Sequence, residues 1–253
     1  MLEIKFIVTG TGRCGTVYLA KLLTDLDVFC GHETVFDVGS TEDITKRLND
    51  PKYRHLSICS KRDSFLVKED APKWVDVNQI VADSSYLAAP FLNDPKFINC
   101  SVIHVIRNPV DVISSFILDF KYFQKQFYAP NIKTSTIYDV RGYHNFIWKY
   151  LPDLSFIENQ LDRAAWFYIR WNEMIESYCK DRNYLRVNIE NLDKRQICQF
   201  VSGNFDKIPN SFNDKKSNTN KKSRFSVDLK RGIKVKLIRD ALIEKAYQYG
   251  YDI

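Results

Sequence analysis

The sequence predicts one α/β domain, a parallel β-sheet flanked by helices, over residues 1–253. Three observations predict it. Short apolar runs of buried-strand character alternate with stretches of helical spacing. Two of those runs pass directly into a Gly or Pro turn that opens a helix. The composition, 45% hydrophobic and 27% charged over 253 residues, supplies a sizeable core and excludes global disorder and coiled-coil rods.

In order along the chain, residues 3–9 form an apolar strand ahead of Gly10, and Leu19, Leu22, Leu23 and Leu26 then mark one side of a helix. Residues 79–82 and 101–106 read as two further buried strands, and residues 184–189 as another, after a long helical stretch over 153–180. Phe116, Phe120, Phe123 and Phe127 fall at i, i+4, i+7 and i+11, the spacing of a core-facing helical stripe. A last helix is expected over 234–247, before Gly250. The spans 41–78 and 129–152 have weak periodicity and read as loops that shape an acceptor-side pocket. No internal repeat is visible.

No apolar run approaches the ~20 residues that cross a bilayer, and the amino terminus lacks the pattern of a signal peptide, so a soluble, cytoplasmic protein without a membrane partner is expected. Six scattered cysteines with no CxxC pair need no disulfide framework and offer no zinc-ligand spacing, so no metal is expected. The net charge of +6 is uneven. Ten basic residues between 207 and 236 face only Asp214 and Asp228, so that segment carries +8 and the remainder −2. It reads either as a solvated loop or as a basic lid over a polyanionic ligand. Within it, the loop over 213–224 has no aromatic residue before Phe225, which argues against nucleic acid.

Two segments carry chemistry. In Gly10-Thr11-Gly12-Arg13-Cys14-Gly15-Thr16-Val17 a strand meets a glycine-rich turn and then a helix, an arrangement that aims backbone N–H groups and a helix dipole at one anion. Gly10 and Gly15 match the GxxxxG of a nucleotide P-loop, but Thr16 follows where such a loop needs Lys, and the cation is Arg13 inside the turn. Cys14, at a helix start beside Arg13, is expected to be a reactive thiol of depressed pKa. The second segment runs from Val102 to Phe116. Arg107 ends the strand, Asn108 caps the helix, Pro109 opens it, and Ser115 lies one turn beyond Asp111. Arg107 and Ser115 can converge on one anion; the alternative is an Arg107–Asp111 pair that tidies the helix start.

Together the two segments resemble the sulfotransferase family that uses 3′-phosphoadenosine 5′-phosphosulfate (PAPS) and releases adenosine 3′,5′-bisphosphate. The first is similar to that family's GxxRSGTT loop, which binds the 5′-phosphosulfate, and this implies cofactor contacts at Thr11, Gly12, Arg13, Cys14, Gly15, Thr16 and Val17. Cys14 stands for the usual Ser and Val17 for the second Thr. The second is similar to the RxPxDxxxS element that binds the 3′-phosphate, with Arg107 and Ser115 in its ligand positions. A weaker likeness joins residues 184–192 to the strand ending in YEDL, with Ile189 in place of Tyr. The resemblance covers a nucleotide core of about 3–33, 79–120 and 184–200, and implies a P-loop-like sulfotransferase fold. The carboxy-terminal donor loop of cytosolic members is absent, and Lys221, Lys222 and Arg224 of the basic segment are placed over the nucleotide by charge alone.

The same resemblance implies a general base near residues 30–34, because members that act on carbohydrates or protein tyrosines have Glu there. Glu33 is the expected base, with His32 in reserve, and Arg13 the cation for the leaving phosphate. Asp83, Ser84 and Ser85 read as acceptor contacts or, equally, as a helix cap. Carbohydrate is the first expectation for the acceptor, then a small phenol or alcohol, then peptide Tyr, in a bacterial or viral enzyme. Two other readings stay open: a P-loop-type kinase using ATP and magnesium with Asp83 on the metal, and a non-catalytic polyanion-binding protein.

Overall fold

A computed structural model of the chain describes residues 2–37, 39–54, 79–119, 123, 146–203 and 227–253. Five strands form one sheet: β1 (Phe6–Gly10), β2 (Cys30–His32), β3 (Ala82–Ser84), β4 (Ser101–Ile106) and β5 (Tyr184–Asn188). The order is β2-β3-β1-β4-β5, and every pairing is parallel. The predicted parallel sheet flanked by helices is thus the architecture found.

Both faces are covered, which explains why the adjacent strands β1 and β4 are mostly apolar. On one face Val8, Ile103 and Val105 pack with Leu19, Leu22 and Leu23 of α1 (Thr16–Asp25) and with Ile197. On the other, Ile7, Val102 and Ile106 share a core with Phe167 and Trp171. Helix α2 (Thr41–Asn49) follows β2, and α3 (Pro109–Ser114) follows β4. Helix α4 (Gln160–Tyr178) precedes β5, and α5 (Lys194–Ser202), α6 (Leu229–Gly232) and α7 (Lys236–Gln248) follow it. Among the described residues no helix is long and apolar enough to cross a membrane.

Several elements differ from the sequence-based expectation. Strand β3 is Ala82–Ser84, not 79–82, because its partner on β1 is Phe6–Val8. Polar Asp83 and Ser84 therefore lie inside the sheet, satisfied by hydrogen bonds that an apolar-run reading does not find. The helix expected over 153–180 begins at Gln160. Asn159 accepts from the N–H groups of Leu161 (2.8 Å) and Asp162 (3.2 Å), and a 3₁₀ turn over Pro152–Phe156 lies before it. The Phe stripe is not one helix. Helix α3 gives way to a π-helical turn at Ser115–Asp119, and Phe123 sits at φ 64°, although Phe116 and Phe123 are both buried with ring centroids 5.6 Å apart. Phe120 and Phe127 lie outside the described residues.

Part of the span read as a loop over 41–78 is α2, closed by a reciprocal capping box in which Asp43 N–H donates to Ser40 Oγ and Ser40 N–H to the Asp43 carboxylate. Residues 146–150 of the second such span are helical too. Residues 55–78 and 129–145 lie outside the described set. The last helix runs over Lys236–Gln248, two residues later than expected at its start.

The topology already marks a place for chemistry. From β1 the chain turns toward β2, while from β4 it turns toward β5 on the opposite side. The carboxyl ends of β1 and β4 therefore flank a switch point, the crevice in which open parallel sheets bind ligands.

Candidate functional site

The two anion motifs of the sequence meet at that switch point. Gly10 ends β1 where a Cβ would stand only 2.3 Å from the Val105 carbonyl oxygen, so only glycine lets the loop leave so close to β4. The backbone then takes positive φ at Gly12 (74°), Arg13 (55°) and Gly15 (107°) before α1 starts. Successive turns of this kind gather N–H groups into an anion-binding concavity. Gly15 has a second reason to lack a side chain: its Cβ would lie 2.8 Å from Ile189 Cγ1.

Arg107, at the end of β4, donates from Nη1 to the Arg13 carbonyl at 2.9 Å, and Arg13 Nε donates to Ser115 Oγ at 3.1 Å. The arginine of each motif is thereby fastened to the other motif, across 94 and 102 residues of sequence respectively. Asp111 approaches Arg107 Nη2 at 3.4 Å, so the pair anticipated at the helix start is present. Asn108 caps α3 as expected, its side chain accepting from the Val110 N–H at 2.9 Å.

Cys14 corrects an expectation. The thiol is fully buried, and burial pushes its pKa up to about 11, outweighing the nearby N–H groups and Arg107. A buried thiol of raised pKa has the character of a packing residue, not of a reactive thiolate.

A second group lies at the end of β2. Glu33 takes a left-handed φ of 53°, and its N–H donates to the Ser84 carbonyl at 3.1 Å. Ser84 Oγ in turn donates to the Thr16 carbonyl at 2.8 Å, which ties this turn to the start of α1. The Glu33 side chain is half-buried; burial first, then the charges of Asp37 and Asp83, push its carboxyl up to about 8. Among the described residues no hydrogen bond reaches that carboxyl group. Its neighbour His32 is buried, held neutral by a pKa lowered to about 4, with Nε2 3.3 Å from Thr16 Oγ1 and Nδ1 unbonded among the described residues.

Asp83, Ser84 and Ser85 are fully buried. The Asp83 carboxylate accepts from the N–H groups of Thr34 (3.1 Å), Val35 (3.0 Å) and Phe36 (2.9 Å), so it builds the turn that carries Glu33. Those bonds lower its pKa, but burial outweighs them and lifts it to about 6. The carboxylate that a kinase reading assigns to magnesium is thus engaged by backbone. Ser85 caps a 3₁₀ turn over Tyr86–Phe91 by accepting from the Leu87 N–H at 3.1 Å, the capping alternative of the sequence reading.

Lys221, Lys222 and Arg224 lie outside the described residues. The described end of the basic segment begins at Val227, whose N–H donates to Ser114 Oγ at 3.0 Å, one residue from Ser115.

Three contributors had escaped sequence reasoning. Tyr168 Oη donates to the Arg107 carbonyl at 2.8 Å, Glu190 accepts from the Asn108 N–H at 3.2 Å, and Tyr251 Oη donates to Glu190 at 2.6 Å. Glu190 stood in the segment likened to YEDL, yet nothing in its spacing pointed at Arg107; Tyr168 reads as one more core aromatic. Comparison with protein-family models finds no match to this chain, and comparison with curated proteins finds none either.

Proposed function

We propose that the protein is a sulfotransferase that moves a sulfuryl group from PAPS to an acceptor hydroxyl, and that its sheet is of the P-loop-like sulfotransferase kind. One observation carries the reading: Arg13, Arg107 and Ser115, distant in sequence, are joined by direct hydrogen bonds at the switch point of a parallel sheet. A donor with a 5′-phosphosulfate and a 3′-phosphate needs two neighbouring anion sites of this kind. The residues fit such a group. The positive-φ loop after β1 suits the phosphosulfate, and Arg107, about a third exposed, keeps guanidinium N–H groups beyond those given to Arg13 and Asp111.

When bound, PAPS supplies an activated sulfuryl group whose transfer releases adenosine 3′,5′-bisphosphate. The protein's share is positioning and charge. The 10–15 loop and Arg13 hold the phosphosulfate end and balance charge on the leaving phosphate. Arg107 and Ser115 hold the 3′-phosphate. Glu33 accepts the acceptor's proton, and its raised pKa suits a base that works near neutral pH. His32, neutral and bonded to Thr16, orders the helix start beneath the loop. A carbohydrate is the first acceptor class to test because of the carboxylate base; a phenol or alcohol follows, then peptide Tyr.

Calorimetric binding of adenosine 3′,5′-bisphosphate, beside ATP with magnesium, tests the donor site. The expected result is metal-independent bisphosphate binding that Arg107→Ala weakens by about tenfold or more. Preference for ATP with magnesium would move the protein to the kinase reading. Binding of neither would overturn the proposal.

A further inference from the structure

The carboxy-terminal turn reaches the anion site through one carboxylate. After α7, Gly250 takes φ 81° and Tyr251 N–H returns to the Ala246 carbonyl at 2.9 Å, which closes the helix and turns the Tyr251 side chain inward. Its hydroxyl donates to Glu190 Oε2 at 2.6 Å. The other oxygen, Oε1, takes the Asn108 N–H at 3.2 Å and lies 3.7 Å from Arg107 Nε. Glu190 is thereby held on both oxygens while it stands at the outer limit of an ion pair with Arg107.

We infer that Tyr251 and Glu190 are positioning residues for Arg107: Tyr251 holds the Glu190 carboxylate back, so that the guanidinium stays available to an anionic ligand. A carboxylate and a ligand phosphate want the same guanidinium N–H groups, and a carboxylate free to swing closes the pair in a forked geometry. Arg107 and Glu190 are each about one-third exposed, side chains 35% and 32%, so either has room to move. The Tyr251 bond and the Asn108 N–H together fix the carboxylate beside Nε, away from the Nη groups, each of which keeps a second N–H beyond its bond to the Arg13 carbonyl or to Asp111. Without the Tyr251 hydroxyl, Glu190 becomes an internal competitor.

The choice of probe rests on the sulfotransferase reading. Adenosine 3′,5′-bisphosphate is titrated calorimetrically into the full chain as parent, Tyr251→Phe, Glu190→Gln and the double variant. Tyr251→Phe is expected to weaken binding by about threefold to tenfold, Glu190→Gln to leave it equal or tighter, and the double variant to match Glu190→Gln. An equal loss from Tyr251→Phe in both backgrounds would make Tyr251 a merely structural residue and overturn the inference, as would no loss at all. If the parent binds no bisphosphate, the sulfotransferase reading fails, and the inference is decided on ligand-free protein by the NMR exchange rate of the Arg107 Nε–H. Slower exchange in Tyr251→Phe, absent when Glu190 is also Gln, supports it; an unchanged rate overturns it.

Discussion

Glu33 combines three properties that a surface carboxylate lacks: a left-handed backbone, burial that raises its pKa, and two acidic neighbours that raise it further. An unfolded Glu titrates near 4.5 and the folded group near 8, so the folded state binds this proton more tightly. The associated stability is fully present below pH 4.5 and is lost as pH rises to 8. Glu33→Gln should therefore be more stable than the parent by about 1–3 kcal/mol at pH 8, after allowance for partial exposure, and equal to it near pH 4. Chemical denaturation at the two pH values checks this. The same variant should lose about 10²–10⁴ in turnover while keeping its bisphosphate affinity, and the parent rate should climb with pH and level off above about 8. At Cys14, with its pKa near 11, a thiol-alkylating reagent at pH 7.5 should find no reactive site until the chain is unfolded, as mass spectrometry would record.

At the scale of elements, two contacts decide whether the loops keep their shape. Gly15→Ala places a Cβ within 3 Å of Ile189 and demands a φ of 107°, so a loss of at least about 2 kcal/mol is expected. Adding Ile189→Ala should restore only the steric part. Asp83→Asn replaces one acceptor oxygen with an amide that faces backbone N–H groups, and should cost about 2–4 kcal/mol and displace the Glu33 turn. Thermal melts measure both. These contacts also show where the sequence was readable. β4 was legible residue for residue because Ser101–Ile106 is apolar but for Ser101 and His104, and Asn108-Pro109 announces the helix after it. β3 was misplaced because its polar residues are solvated by backbone from a turn 47 residues away, which no local pattern encodes. The Ser40–Asp43 capping box was present in the sequence and would have located α2.

For the whole molecule, the sheet order determines both stability and site. β1, β3 and β4 are each paired on both sides, β3 over three residues only, whereas β2 and β5 are edges. Amide hydrogen exchange should be slowest in Phe6–Gly10 and Ser101–Ile106 and faster in Cys30–His32. Those two strands lead into the turns that carry Arg13 and Arg107, so the candidate anion site is expected to stand on the firmest part of the fold. The individual motifs were visible in sequence, and their juxtaposition followed from strand order alone. The direct bonds between them were not visible, because they depend on where the loop after β1 turns its carbonyl.

That carbonyl has a further consequence. Arg107 grips the backbone oxygen of residue 13, not a side chain, so no substitution at position 13 short of a backbone change removes its partner. Arg13→Ala should spare the grip that Arg107→Ala destroys. The bond also depends on alignment: with Gly10 opposite Val105, the residue-13 oxygen falls within reach, and a slip of one position would offer a different carbonyl and turn the intervening side chains to the wrong face. The clasp is in effect a gauge of strand alignment, closed only when β1 and β4 are in step.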